Sequence, residues 1–109
     1  MKTRYDKLIR DNIPHILIEK NIVAEIRTLE DHEFLAYVKK KIVEEAQEVQ
    51  ESKNREGGLK ECADLIEILE CFMNIHDISW NQINNARKQK NEERGAFTKK
   101  LLLIETEKV

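Results

Sequence analysis

The chain has few of the residues that interrupt helices or separate domains. Its 109 residues include one proline and three glycines, and no Pro/Gly-rich linker divides it. A chain of this length usually folds as one domain and has difficulty covering a large hydrophobic core by itself. We therefore expect a single domain over residues 1–109 that associates with itself, as a homodimer or a homotetramer.

The chain also lacks the surfaces that bind nucleic acids or membranes. Its formal net charge is −2, its pI is about 6.0, and aromatic residues make up only 6%. Nucleic-acid-binding domains usually carry a dominant basic face, and none is evident here. No apolar stretch approaches the length of a membrane span, and Met1-Lys2-Thr3-Arg4 leads into no signal-peptide core. We expect a cytoplasmic protein that binds neither nucleic acid nor membrane.

Signals of zinc, thiol and P-loop chemistry are absent as well. His15, His32 and His76 occur singly, without the spacing of a zinc site. No Gly-rich phosphate loop of the Walker type is present. Cys62 and Cys71 lie on different sides of one predicted helix, so they cannot pair within it, and we expect both to be reduced thiols in the core.

The chain contains instead two short clusters of acidic residues. Twelve residues separate Glu44-Glu45-Ala46-Gln47-Glu48 from Glu61-Cys62-Ala63-Asp64. Within each cluster the i, i+3 spacing puts two acids on one side of a helix, and antiparallel packing would bring both pairs together. Ionised carboxylates a few Å apart repel by roughly 3 kcal/mol per pair at an effective dielectric constant of about 20. Such a cluster favours a divalent cation, and oxygen-only ligands indicate Mg²⁺ or Mn²⁺.

The position of the acids relative to the apolar stripes strengthens this interpretation. On a helical wheel Glu45 lies inside the edge of the apolar stripe of the first acid-bearing helix. Glu61 points towards the apolar side of its own helix, the second one. Partly buried acids need partners, and between Arg55 and Arg87 the sequence has only Lys60. A metal ion is therefore the better partner. The alternative is a pair of ordinary amphipathic helices with solvated acids.

Hydrophobic periodicity and capping residues predict an all-α antiparallel helical bundle with possible short terminal strands. The predicted helices cover about residues 13–20 with Asn12 or Asp11 as cap, about residues 31–51 with Asp31 as cap, and about residues 59–76. A further long helix begins at a capping box formed by Ser79 and Gln82 and ends at Gly95. A polar break is predicted over residues 52–58, where Gly57-Gly58 allows the chain to reverse, and short strands are possible at 22–29 and 101–104. Apolar residues cover well over half of the helix from Leu59 to His76. We expect this helix to be central and buried, with a second subunit as part of its cover.

The acidic pattern, Glu-Glu-x-x-Glu followed after a spacer by Glu-x-x-Asp, resembles the metal-binding signature of the MazG-like all-α nucleoside triphosphate pyrophosphohydrolases. These enzymes are related to dimeric dUTPases and phosphoribosyl-ATP pyrophosphatases. One branch of these enzymes starts with Lys-Leu-Val-Arg-Asp-Lys-Ile-Pro, and the start of this chain is similar: Tyr5-Asp6-Lys7-Leu8-Ile9-Arg10-Asp11-Asn12-Ile13-Pro14. The same branch ends with Lys-x-x-x-Arg-Gly-x-Phe, which the segment from Lys90 to Phe97 resembles. Asn12 and Ala96 depart from the usual Lys and Gly.

The resemblance implies Mg²⁺-dependent hydrolysis of a nucleoside triphosphate between its α- and β-phosphates, with Mn²⁺ as a possible substitute. The predicted metal ligands are Glu45, Glu48, Glu61 and Asp64. Glu44 and Glu45 are the candidate catalytic residues, and Glu44, which faces about 100° away from Glu45, could support the ligands or deprotonate water.

Five basic residues are candidates for binding the substrate. Lys90 and Arg94 are spaced i, i+4 and could hold a triphosphate from one side of their helix, with Arg87, Lys7 and Arg10 as further possibilities. A general role in nucleotide-pool housecleaning ranks first. A phosphoribosyl-ATP pyrophosphatase of histidine biosynthesis and a non-catalytic helical interaction module are the alternatives.

Overall fold

The computed structural model describes all of residues 1–109 and contains four helices and no strand. The helices are α1 (Ile13–Glu19), α2 (Asp31–Glu51), α3 (Arg55–Ile75) and α4 (Trp80–Arg94). The predicted all-α class is confirmed. Residues 22–29 and 101–104 have no regular structure, so the strands considered for these segments do not form. A strand needs a partner for its backbone groups, and neither segment pairs with another.

The chain divides into two compact units, residues 1–77 and residues 78–109. The first unit contains the N-terminal segment and α1 to α3. The second contains α4 and the residues that follow it. The single domain expected over residues 1–109 stays a prediction. None of the four helices combines the length and apolar composition needed to cross a membrane.

Helices α2 and α3 pack against each other and form the main helix pair of the first unit. Residues 52–54 join them, and so short a connection makes the two helices antiparallel neighbours. The Asn54 side chain accepts a hydrogen bond from the Gly57 N–H at 2.8 Å and caps α3. The predicted break over residues 52–58 therefore ends at residue 54. Gly57 and Gly58 lie inside the first turn of α3, and the reversal predicted for them is wrong.

The start of α2 also differs from the prediction by one residue. Glu30 precedes the helix, and the expected cap, Asp31, is its first residue. The Glu30 N–H donates to Glu33 Oε1 at 3.3 Å, which satisfies one of the backbone donors near the helix start. A capping box with Glu at the cap position, Glu30, and again three residues later, Glu33, is less readily recognised from sequence than one that begins with Ser, Thr, Asp or Asn.

The core of the first unit is small. Val38 is fully buried, and Ile68 and Met73 are nearly so. The burial predicted for the helix around residues 59–76 is only partial, because α2 covers one side of α3: Leu59 remains 59% exposed and Ile66 48%. A large apolar surface is therefore left uncovered in the single chain.

The two cysteines are free, as the sequence indicated, but they differ in burial. Cys71 is half-buried, and its removal from water raises the pKa of its thiol. Cys62 is exposed, so its assignment to the core is wrong. It lies on the part of α3 that α2 does not cover.

In the second unit, α4 has the ends that the sequence predicted. The Ser79 hydroxyl accepts from the Gln82 N–H at 3.2 Å, and Gln82 Oε1 accepts from the Ser79 N–H at 2.8 Å. The helix ends before Gly95, whose φ of 80° favours glycine. The predicted capping box and glycine end are confirmed.

Candidate metal centre

Three acidic side chains of the α2–α3 pair converge. Glu45 on α2 and Glu61 and Asp64 on α3 each offer one carboxylate oxygen, and these oxygens lie within 4.8 Å of one another. The i, i+3 spacing places Glu61 and Asp64 on the same side of α3, and the antiparallel packing places Glu45 opposite them. All three are half-buried. The structure thus brings together three of the four predicted ligands, and we call them the acid triad.

The other two acids of the first cluster lie beside the triad. Glu48 is exposed and is not one of the three converging carboxylates, but its charge acts on Glu61. Glu44 is exposed, and its Oε2 atom lies 3.5 Å from Lys41 Nζ. The predicted roles of Glu48 as a ligand and Glu44 as a supporting residue or base stay predictions.

The electrostatics of the triad centre on Glu61. Its partial burial raises the pKa of its carboxyl group, and the negative charges of Glu48, Asp64 and Glu45 raise it further. Glu61 forms no ion pair in the structure. A nearby cation would therefore stabilise its ionised form.

Two cations contact the other members of the triad, and neither was predicted from the sequence as a partner of these acids. Arg10 Nη2 donates to Asp64 Oδ1 at 2.7 Å, and Lys41 Nζ lies 3.6 Å from Glu45 Oε1. Both cations lie outside residues 55–87, the stretch on which the preference for a metal ion over a salt bridge rested, and that preference stays a prediction. Lys41 could have been found from its i, i+4 spacing to Glu45. Arg10 is 54 residues from Asp64 along the chain, and no local pattern connects them.

The donor set fits a hard divalent cation. All the converging atoms are carboxylate oxygens, the ligands that Mg²⁺ and Mn²⁺ prefer. Mg²⁺–oxygen distances of about 2.1 Å separate oxygens on opposite sides of one ion by about 4.2 Å. The three carboxylate oxygens lie within 4.8 Å of one another, a spacing of the same order as this separation. The four acids, including Glu48, also exceed the two contacting cations in charge.

The remaining candidate residues are exposed. Lys90 and Arg94 lie one turn apart on α4 in the second unit, and Arg87 Nη1 donates to Asn84 Oδ1 at 3.2 Å. In the N-terminal segment, Lys7 Nζ lies 5.5 Å from the centre of the Tyr5 ring. The assignment of these residues to substrate binding stays a prediction.

Comparisons with models of known protein families, with curated proteins and with solved structures found no match to this chain.

Proposed function

We propose that this chain is a Mg²⁺-dependent nucleoside triphosphate pyrophosphohydrolase of the MazG-like type that releases a nucleoside monophosphate and pyrophosphate. The observation that carries the proposal is the convergence of Glu45, Glu61 and Asp64, with oxygens within 4.8 Å of one another. These are residues of the acidic pattern on which the resemblance rests. We further propose a role in removing unwanted nucleotides from the cellular pool.

Each acidic residue has a proposed role. Glu45, Glu61 and Asp64 hold the cation, and Glu48 joins them from the next turn of α2. A bound Mg²⁺ or Mn²⁺ ion supplies charge neutralisation at phosphate oxygens and lowers the pKa of a water molecule. Glu44 accepts a proton from the attacking water.

The proposed phosphate-binding residues are basic. Lys90 and Arg94 share one side of α4 and stabilise the charge that develops on the leaving pyrophosphate. Arg87, Lys7 and Arg10 are further candidates for contacts with the substrate. Cleavage at the α-phosphorus follows if the acid triad acts at the α-phosphate of the substrate.

A hydrolysis screen tests this function. Canonical and modified nucleoside triphosphates and phosphoribosyl-ATP are incubated with the protein and Mg²⁺, and the products are resolved by ³¹P NMR. We expect a monophosphate and pyrophosphate, loss of activity in excess EDTA, and poor support by Zn²⁺, because the triad offers no His or Cys ligand. A nucleoside diphosphate as main product, or full turnover in EDTA, would contradict the proposal. Selective turnover of phosphoribosyl-ATP would assign the enzyme to histidine biosynthesis.

The ion pairs at the triad favour a second candidate, a helical interaction module without catalytic activity. Arg10 and Lys41 partly neutralise Asp64 and Glu45 without any metal ion. If these pairs are purely structural, Mg²⁺ will not raise the thermal unfolding midpoint. A Mg²⁺-dependent increase that Glu61→Gln abolishes and Glu67→Gln retains would favour the enzyme, because Glu67 is an exposed acid of the same helix outside the triad.

We also propose that the functional unit is a homodimer or a homotetramer. Leu59 and Ile66 are seven residues apart on α3, hence on one side of it, and both are largely exposed. We expect light scattering at micromolar concentration to give a mass at least twice 12.9 kDa. Ile66→Glu should lower this mass, whereas Asn74→Glu, which adds the same charge at an exposed polar position of α3, should not. A stable wild-type monomer would contradict the proposal.

A further inference from the structure

The N-terminal segment reaches the acid triad through one side chain. Arg10 precedes α1 in a stretch without regular secondary structure, and its Nη2 atom lies 2.7 Å from Asp64 Oδ1. The contact is exposed, since 63% of the Arg10 side chain and 44% of the Asp64 side chain are accessible to water. A segment distant in sequence therefore contacts one of the proposed ligands.

The charge balance of the triad gives this contact a role. Glu45 has Lys41 as a neighbour on its own helix, whereas Asp64 has only Arg10, and Glu61 has no cation. Arg10 supplies a positive charge from outside the helix pair, in the place where the proposed cation would act.

The geometry of the contact distinguishes a replaceable counter-charge from an orienting residue. Residues that orient a metal-ligating carboxylate hold it by hydrogen bonds of defined geometry, and a bidentate Arg–carboxylate pair defines that geometry best. The Arg10 side chain makes one hydrogen bond, through a single nitrogen, to Asp64. Exposed ion pairs of this type contribute little to stability, so a divalent cation can replace one at small cost.

We propose that Arg10 is an exchangeable counter-cation: Asp64 holds the Arg10 guanidinium in the metal-free protein and exchanges it for a divalent cation, which releases Arg10 towards an anionic substrate. This inference rests on the proposed metal centre. The released guanidinium offers a planar set of N–H donors suited to phosphate oxygens. Cation binding then precedes and prepares nucleotide binding.

The test compares Mn²⁺ binding to the wild-type protein, Arg10→Gln and Arg4→Gln, with free Mn²⁺ measured by electron paramagnetic resonance. Arg4→Gln is the matched control, because Arg4 belongs to the same segment and pairs with Asp6. We expect Arg10→Gln to bind Mn²⁺ about two- to fivefold more tightly, the equivalent of one exposed ion pair. Arg4→Gln should bind as the wild type does. Equal or weaker binding by Arg10→Gln would overturn the exchange, and weaker binding would make Arg10 an orienting residue.

A second measurement uses the wild-type protein. The Nε–Hε NMR signal of Arg10, assigned through Arg10→Lys, should shift as Mg²⁺ is added and saturate together with metal binding. An unchanged Arg10 signal at saturating Mg²⁺ would also overturn the exchange. If the wild-type protein binds neither Mn²⁺ nor Mg²⁺, the proposed metal centre itself fails, and this outcome is distinct from the other two.

Discussion

Glu33 and Glu61 are both acids of the α2–α3 helix pair, but their surroundings affect them in opposite directions. Glu33 accepts hydrogen bonds from Arg27 Nη1 at 3.1 Å and Nη2 at 2.7 Å, and another from the Glu30 N–H. These bonds lower the pKa of Glu33 to about 2. At Glu61, partial burial and three neighbouring acids raise the pKa.

The difference indicates which acid serves the fold and which is available for function. The charge of Glu33 is satisfied within the chain, at the start of a helix where a negative charge is favourable. The charge of Glu61 opposes its surroundings, and such perturbed groups concentrate at functional sites. The comparison predicts that removing the two charges has opposite consequences for stability and unequal consequences for activity.

The largest expected effect is on catalysis. Glu61→Gln should reduce the hydrolysis rate by at least about 100-fold, because even residues that only support metal ligands commonly contribute 10- to 100-fold. Glu33→Gln and Glu67→Gln should retain most of the activity when assayed below their unfolding temperatures. Steady-state rates with Mg²⁺ measure this. Comparable losses in Glu61→Gln and Glu67→Gln would show that the triad has no special role.

The next effect is on the stability of the metal-free protein. Glu61→Gln should raise the thermal unfolding midpoint, because it preserves the shape of the side chain and removes one charge from a repelling set. Glu33→Gln should lower the midpoint, because it breaks the paired hydrogen bonds with Arg27. Calorimetry in EDTA compares the two variants. A marked fall for Glu61→Gln would make that carboxylate a structural partner.

The smallest effect is on the pH dependence of stability. The folded protein binds the Glu33 proton less tightly than the unfolded chain, so the stability from Glu33 is present above pH 4.5 and is lost as the pH falls towards about 2. The raised pKa of Glu61 changes stability in the opposite direction: the free energy of unfolding falls as the pH rises from 4.5 through the folded-state pKa of Glu61.

Chemical denaturation of the metal-free protein at a series of pH values separates these contributions. Glu33→Gln should flatten the acid side of the wild-type profile, and Glu61→Gln should flatten the decline above pH 4.5. The same profile in wild type and Glu61→Gln would show that crowding at the triad does not affect folding.

The sequence was sufficient to predict that the four helices exist and to propose the three acids that converge, whereas Glu48 is not among the converging carboxylates. Apolar periodicity located α2, the capping box at Ser79 located α4, and the i, i+3 spacing paired Glu61 with Asp64. These features depend on residues within a few turns of one another. The start of α3 was misplaced because Gly57 and Gly58 suggested a turn, whereas the Asn54 cap already begins the helix.

Long-range contacts could not be predicted in the same way. The Arg10–Asp64 ion pair depends on where an irregular segment meets the helix pair, and no periodic pattern encodes that meeting point. The exposure of Cys62 and Ile66 depends on how much of α3 a single α2 can cover. A helical wheel identifies the apolar side of a helix but does not identify the helix or subunit that packs against that side.

The central claim, that the α2–α3 acids form a divalent-cation centre, is tested most directly by titrating the metal-free protein with Mn²⁺ and measuring the free ion by electron paramagnetic resonance. The account predicts saturable binding to the wild-type chain, competition by Mg²⁺, and loss of binding in Glu61→Gln but not in Glu67→Gln. A free-Mn²⁺ signal that is the same with and without protein up to millimolar concentration would contradict it.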